Sequence, residues 1–203
     1  MKNYYTTENN FYGNTSPNEL LEKYGSPLYV YNESILRARC REMMSLISYP
    51  RFEVNYSIKA NSNIHLLRII QEEGLHADAI SPGEIFILLA ASFKPHEIFY
   101  ISNNVSEEEM LFAIQRKITV SVDSISQLKQ FGKINPGGTV AIRFNSGIGA
   151  GHNEKVITGG NNTKFGIHPE SIPEVKDILQ KYRLTLLGIN QHIGSLFMEP
   201  APY

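Results

Sequence analysis

The chain has 203 residues, 42% of them hydrophobic and 19% charged, with a formal net charge of −1. That balance describes an ordinary globular domain and offers no electrostatic footprint for DNA, RNA or an acidic membrane surface. Cys40 is the only cysteine, which excludes an internal disulfide and a cysteine-built zinc site. The opening Met1-Lys2-Asn3-Tyr4-Tyr5-Thr6-Thr7 carries no apolar core of signal-peptide length, and no run approaches a membrane span. The expectation is a cytoplasmic protein that binds neither nucleic acid nor membrane.

Residues 1–27 are polar, with turn formers at Gly13, Pro17, Gly25 and Pro27, and read as an arm or edge segment. Residues 28–203 read as one βα domain. Leu28-Tyr29-Val30-Tyr31 is a short apolar run. Asn32 is placed to cap a helix whose apolar stripe is Leu36, Cys40, Met43, Met44 and Ile47. Phe52 to Ile58 alternates as a strand does. Ile64, Leu67 and Ile70 then repeat at helical spacing, and Gly74 stands where that helix ends. Lys59 therefore falls where a strand gives way to a βα loop.

From Lys59 the chain repeats. Strand-like runs end before Lys59, Ser81, Ser102, Asp123 and Asn145, positions 22, 21, 21 and 22 apart. Ser106 with Glu109, and Ser124 with Gln127, fit the capping box. A βα unit of this period implies parallel strands joined by right-handed helical crossovers. The period breaks after Asn145, where a glycine-rich stretch runs to Ile167 without a helix or strand pattern; loops this long are usually functional. A helix with Val175, Ile178, Leu179 and Tyr182 follows, then a sixth strand, Leu184 to Gln191, ending at His192-Ile193-Gly194-Ser195.

Six parallel strands fit either an open doubly wound sheet or three-quarters of an eight-stranded barrel. No glycine-rich phosphate turn follows the first strand, which argues against dinucleotide binding. The ending, Phe197 to Tyr203, carries no helix stop. The chain reads as stopping before its fold is complete; as a barrel it would hold about six of eight strands and be inactive by itself, its parallel edges unpaired and core faces bare.

In a βα barrel functional side chains gather at the C-terminal ends of the strands. Those ends present Lys59, Asp78 with Ser81, Asp123, Arg143, and His192 with Ser195. An amine, carboxylates, a guanidinium and an imidazole on one rim suit Schiff-base chemistry. Burial near Arg143 would favour the neutral amine that such chemistry needs. Plainer roles stand beside these. Asp78 and Asp123 could cap helices, Arg143 could serve a buried ion pair, and His192 could be a structural histidine.

Tyr56-Ser57-Ile58-Lys59-Ala60-Asn61 resembles the lysine motif of the fold-type III pyridoxal-phosphate enzymes, and His192-Ile193-Gly194-Ser195 matches their histidine motif. Gly149-Ala150-Gly151-His152, Thr158-Gly159-Gly160 and Lys164-Phe165-Gly166-Ile167 are similar to the diaminopimelate decarboxylase branch. The resemblance runs from about Gly25 to Tyr203 and implies an α/β fold, a pyridoxal-phosphate-binding (β/α)8 TIM barrel of the alanine racemase type. It implies that Lys59 carries the cofactor, that His192 stacks on its ring, that Ser195 reaches its phosphate, and that Asp78 and Arg143 line the same mouth. The reaction implied is decarboxylation of meso-2,6-diaminopimelate to L-lysine by a homodimer with shared active sites. Pro82 stands where the family has a second glycine, and Ser146 where proline is common. The family's glycine-rich phosphate loop, its pyridine-pairing glutamate segment and its C-terminal β domain are not in this sequence; glycines 147, 149 and 151 lie one strand too early. Other fold-type III activities (carboxynorspermidine, ornithine or arginine decarboxylation, amino-acid racemisation), a cofactor-free lysine aldolase and a regulatory pseudo-enzyme are the rival readings.

Overall fold

The computed structural model describes residues 11–101, 103–153 and 156–196. Ser102, the ending from Phe197 onward and residues 1–10 lie outside the described residues. The six strands are β1 (Asn55–Ser57), β2 (His76–Ala79), β3 (Ile98–Ile101), β4 (Thr119–Val122), β5 (Thr139–Arg143) and β6 (Thr185–Asn190). They form one sheet in the order β1-β2-β3-β4-β5-β6, every pair parallel.

That order chooses between the two architectures the strand count left open. A doubly wound sheet reverses direction at a switch point and covers both faces with helices. Here no crossover reverses. Successive right-handed crossovers therefore put the connecting helices on one face, and the twisted sheet curls as a barrel wall. The connecting helices are α3 (Ile64–Glu72), α4 (Pro82–Ala90), α5 (Glu107–Gln115), α6 (Ile125–Ile134) and α7 (Ile172–Tyr182).

Alternation along each strand divides the sheet. Ala77, Ala79, Ile98, Tyr100, Val120, Val122, Val140 and Ile142 join Leu67, Leu88, Met110, Phe131 and Ile178 in one buried core between sheet and helices. The other face carries Ser57, Asp78, Phe99, Ser121 and Arg143 toward the barrel interior. Among the described residues β1 and β6 are sheet edges, and Leu187 and Ile189 on β6 are 58% and 75% exposed, as the bare-edge expectation requires.

The helix ends follow the sequence closely. Ser106 and Glu109 form the full capping box, Asn32 caps α2 (Glu33–Met44), and Gly74 adopts a positive φ of 84° past the end of α3. At α6 the box is displaced by one residue. Ser124 accepts from the Gln127 amide, but the Gln127 side chain reaches the amide of Asp123. Two elements differ from expectation. Residues 17–24 of the arm form a capped helix, α1 (Pro17–Tyr24), that buries no residue. The first strand is only three residues long, because the chain enters a 3₁₀ turn at Ile58–Ala60.

Helix α2 docks on α3 through ion pairs. Arg37 meets Glu33, Glu72 and Glu73, and Arg41 meets Glu73 at 2.6 Å. The hydrogen bonds from Arg41 and then Arg37 hold the Glu73 carboxyl below its ordinary range. That stabilisation is complete above the ordinary carboxylate pKa and is lost as pH falls through the lowered value.

Helices α6 and α7 meet at a glycine. A Cβ on Gly132 would lie 2.4 Å from the Tyr182 ring and 2.9 Å from its Cβ, too close to the backbone for a rotamer change to relieve. Gly132→Ala would gain up to ~1 kcal/mol of helix propensity, against ~1–3 kcal/mol of overpacking. The expected result is a lower urea midpoint for Gly132→Ala; a higher one would show that the helices separate freely.

Candidate active site

The lysine turn is fixed from both sides. Ile58 is fully buried in the core, so the 3₁₀ turn is anchored one residue before Lys59. After it, the Asn61 side chain donates to the Tyr31 hydroxyl at 2.8 Å and accepts from the Asn63 amide, while Tyr56 donates to the Asn61 carbonyl. Asn63 then caps α3. Lys59 is left exposed at the mouth of the barrel, without the burial near Arg143 that would favour a neutral amine.

Asp78 stands in register with Ser57 on the adjoining strand, and the Ser57 hydroxyl donates to its Oδ2 at 2.7 Å. It caps nothing; Ser81 is the cap of α4, and the Pro82 that departs from the family pattern takes the first helical turn, where its missing N–H costs no bond. Asp123 is not a cap either, since Ser124 has that role. Its carboxyl is buried, and burial raises its pKa, with Arg143 and then Lys164 opposing.

His192 lies past the end of β6. The Gly194 amide donates to its Nδ1 at 3.2 Å, so Nδ1 must be unprotonated and a neutral ring carries its proton on Nε2. Electrostatics agree. Burial, then the charges of Arg143 and Lys59, lower the His192 pKa from 6.5, and Asp78 opposes them. The charges of Arg143, Lys59 and Asp78 therefore all act on His192. Ser195 is exposed at the end of the same turn, its carbonyl accepting from the His152 amide.

Arg143 is 5% exposed and aims its guanidinium at the backbone. Its Nη2 donates to the carbonyls of His192 at 3.1 Å and Thr158 at 3.3 Å, and the guanidinium lies 4.9 Å from the Phe165 ring centroid. Among the described residues no carboxylate comes within ion-pair distance of it, so the ion-pair role is not what the structure shows. Burial lowers its pKa and Asp123 opposes.

The described residues of the long stretch after Asn145 form a folded frame around the histidine turn. The amides of Ala150, Thr158 and Gly159 all point at the Ile193 carbonyl, and Thr158 Oγ1 donates to the His192 carbonyl. Gly194 has a φ of +151°, and a Cβ there would sit 1.6 Å from the Ala150 carbonyl oxygen. The glycines thus serve close approach of backbone to backbone. Asn145, 3% exposed, holds the frame with its side chain. The sequence reading passed over Asn145 and Thr158 as functional residues. The available signal was an Asn opening a glycine-rich loop, the signature of an Asx turn onto Gly147.

A curled parallel sheet with an amine, a hydrogen-bonded carboxylate and a neutral imidazole converging at the C-terminal ends of its strands is the mouth of a pyridoxal-binding barrel. The chain belongs to the family described as "Pyridoxal-dependent decarboxylase, pyridoxal binding domain", whose profile matches residues 33–203. It is 42% identical to the diaminopimelate decarboxylase of Methanothermobacter thermautotrophicus over 188 residues, 91% of this chain and 44% of that one. It is 36% identical to the Escherichia coli K12 enzyme of the same name over 177 residues, 85% of this chain and 41% of the other. Superposition on the crystal structure of Helicobacter pylori diaminopimelate decarboxylase complexed with L-lysine gives a TM-score of 0.86 at 26% identity, covering 92% and 49% of the two chains. The chain thus spans less than half the length of these relatives. These groups fit pyridoxal phosphate: an exposed primary amine for its aldehyde and a neutral imidazole at the same mouth.

The His192 imidazole is expected to titrate below 6.5 when followed by NMR. Because the folded value is lowered, its stabilising effect is complete above 6.5 and is lost as pH falls below 6.5 toward the folded value. Asp78→Asn, which removes the opposing charge, should lower the midpoint further, and Lys59→Met should raise it. A midpoint at or above 6.5 in the unmodified chain would contradict the site geometry.

Proposed function

We propose that the complete product of this gene decarboxylates meso-2,6-diaminopimelate to L-lysine, with pyridoxal phosphate held on Lys59. The observation that carries the reading is the convergence of Lys59, Asp78 and a neutral His192 at one barrel mouth. The family membership and the named relatives support it.

When bound, the cofactor supplies an electron sink for the carbanion left by carbon dioxide. The residues supply the rest. Lys59 offers its Nζ from a turn that cannot slide, because Ile58 on one side and Asn61 on the other are fixed. The His192 ring, its Nδ1 occupied by the Gly194 amide, presents a neutral face and a single donor at Nε2. Asp78, oriented by Ser57, supplies the negative charge of the mouth. Ser195, exposed beside His192, offers a hydroxyl to the phosphate. Arg143 belongs to the same site through the backbone it holds, setting where the His192 turn lies.

The frame from Asn145 to Ile167, with the motifs of the diaminopimelate branch, favours this substrate over the ornithine, arginine and carboxynorspermidine reactions and over racemisation. In this reading the working form is a cytoplasmic homodimer that takes amino-acid substrates, residues 1–27 are an arm and 28–203 the barrel portion.

Pyridoxal phosphate is added to the complete product of the gene, its lysine adduct is reduced with borohydride, and the labelled peptide is found by mass spectrometry. A single pyridoxyl group on Lys59, absent from Lys59→Ala, is the expected outcome; label spread over surface lysines would remove the cofactor. The substrate is tested by assaying the complete product of the gene on diaminopimelate, ornithine, arginine and carboxynorspermidine. The highest kcat/KM is expected for diaminopimelate, and a higher one for any other would replace it.

A further inference from the structure

We infer that Asn145 is a positioning residue for His192, acting through the loop from 145 to 166. The inference rests on the reading of His192 as a residue that faces the cofactor.

The Asn145 amide is saturated. Oδ1 accepts from the amides of Gly147 at 3.0 Å and Gly160 at 2.9 Å. Nδ2 donates to the Gly160 carbonyl at 3.0 Å, to Thr163 Oγ1 at 3.2 Å and to the Phe165 carbonyl at 2.9 Å. Both lone pairs and both hydrogens are used, with one hydrogen shared, and they join the beginning of the loop to its return. Only a primary amide of this length offers donors and acceptors together. An aspartate would turn an anion toward two carbonyl oxygens.

From this knot the path to the imidazole is short. Gly160 follows Thr158 and Gly159, whose amides donate to the Ile193 carbonyl at 3.3 and 3.2 Å. Ala150, on the other limb of the loop, donates to the same oxygen at 3.1 Å. Thr158 also gives its hydroxyl to the His192 carbonyl and its own carbonyl to Arg143, which holds His192 as well. The Gly194 amide then fixes the ring through Nδ1. Releasing Asn145 frees the surface on which the turn rests, while the sheet and helices keep their own bonds. The charges that act on the ring are those of Arg143, Lys59 and Asp78, and its distance from each depends on that turn.

The test compares the unmodified chain with Asn145→Ala and with the milder Thr163→Val, which removes one of the three acceptors. Amide exchange at Gly159, Gly160 and Gly194 should accelerate in Asn145→Ala by about tenfold or more, because buried backbone partners are lost. The His192 titration midpoint should move up toward 6.5 as the ring loses its fixed place, with a smaller shift in the same direction for Thr163→Val. Should Asn145→Ala fail to fold, Thr163→Val decides alone. Faster exchange with an unmoved His192 midpoint would overturn the inference, since a residue that only ties the loop together would produce that result. The borohydride label on Lys59 in the unmodified chain separates the two claims. A labelled Lys59 with an unmoved midpoint defeats this inference alone. An unlabelled Lys59 defeats the cofactor reading, and this role with it.

Discussion

A buried guanidinium must be satisfied where it lies, because an unpaired cation in a protein interior costs more than the fold can spare. Arg143, the last residue of β5, has no carboxylate at ion-pair distance among the described residues and takes two backbone carbonyls instead. Those carbonyls belong to Thr158 and His192, which are remote in sequence. One side chain thereby joins a rigid strand end, the middle of a long loop and the turn that carries the imidazole. The rest of the mouth follows from that junction. The backbones must come close, so Gly194 lies where any Cβ would strike the Ala150 carbonyl, Gly149 approaches the Gly159 backbone, and Gly159 approaches the backbones of Ile148 and Ile193. The glycines are a packing requirement of the frame.

The opposite wall is built by different means. Lys59, Ser57 and Asp78 are set by strand register and by the burial of Ile58, within the most local part of the fold. The mouth therefore combines a rigid half, with the amine and the carboxylate, and a half whose geometry depends on a loop of more than twenty residues. The His192 charge state reports on both halves, since Lys59 and Asp78 act on it from one side and Arg143 from the other.

The sequence made the strand ends legible because a βα repeat places one residue of interest about every twenty positions. Lys59, Asp78, Arg143, His192 and Ser195 were found that way, and the caps at Asn32, Ser106 and Ser124 followed from local chemistry that tertiary contacts did not override. The strand count could not separate a doubly wound sheet from a barrel, since crossover direction is a property of pairing. The exposure of Lys59 could not be read for a similar reason: position marks a strand end, but burial depends on what lies across the mouth. Arg143 read equally as ligand or ion-pair partner, and its choice of carbonyls required the folded loop. Asn145 was visible only as a strand end. Its five side-chain bonds reach residues up to twenty positions away, beyond the range of any local pattern. Helix α1 lay in a segment read as an arm, although Ser16 and Glu19 form a capping box.

The central claim is that two differently built halves meet on one pyridoxal. A crystal structure of the chain grown with pyridoxal phosphate tests it most directly. The expected structure has the cofactor joined to Lys59 Nζ, the His192 ring against it with Nδ1 still on the Gly194 amide, and Arg143 still on the carbonyls of His192 and Thr158. Cofactor bound away from Lys59, or joined to Lys59 with His192 turned out of the mouth, would contradict it.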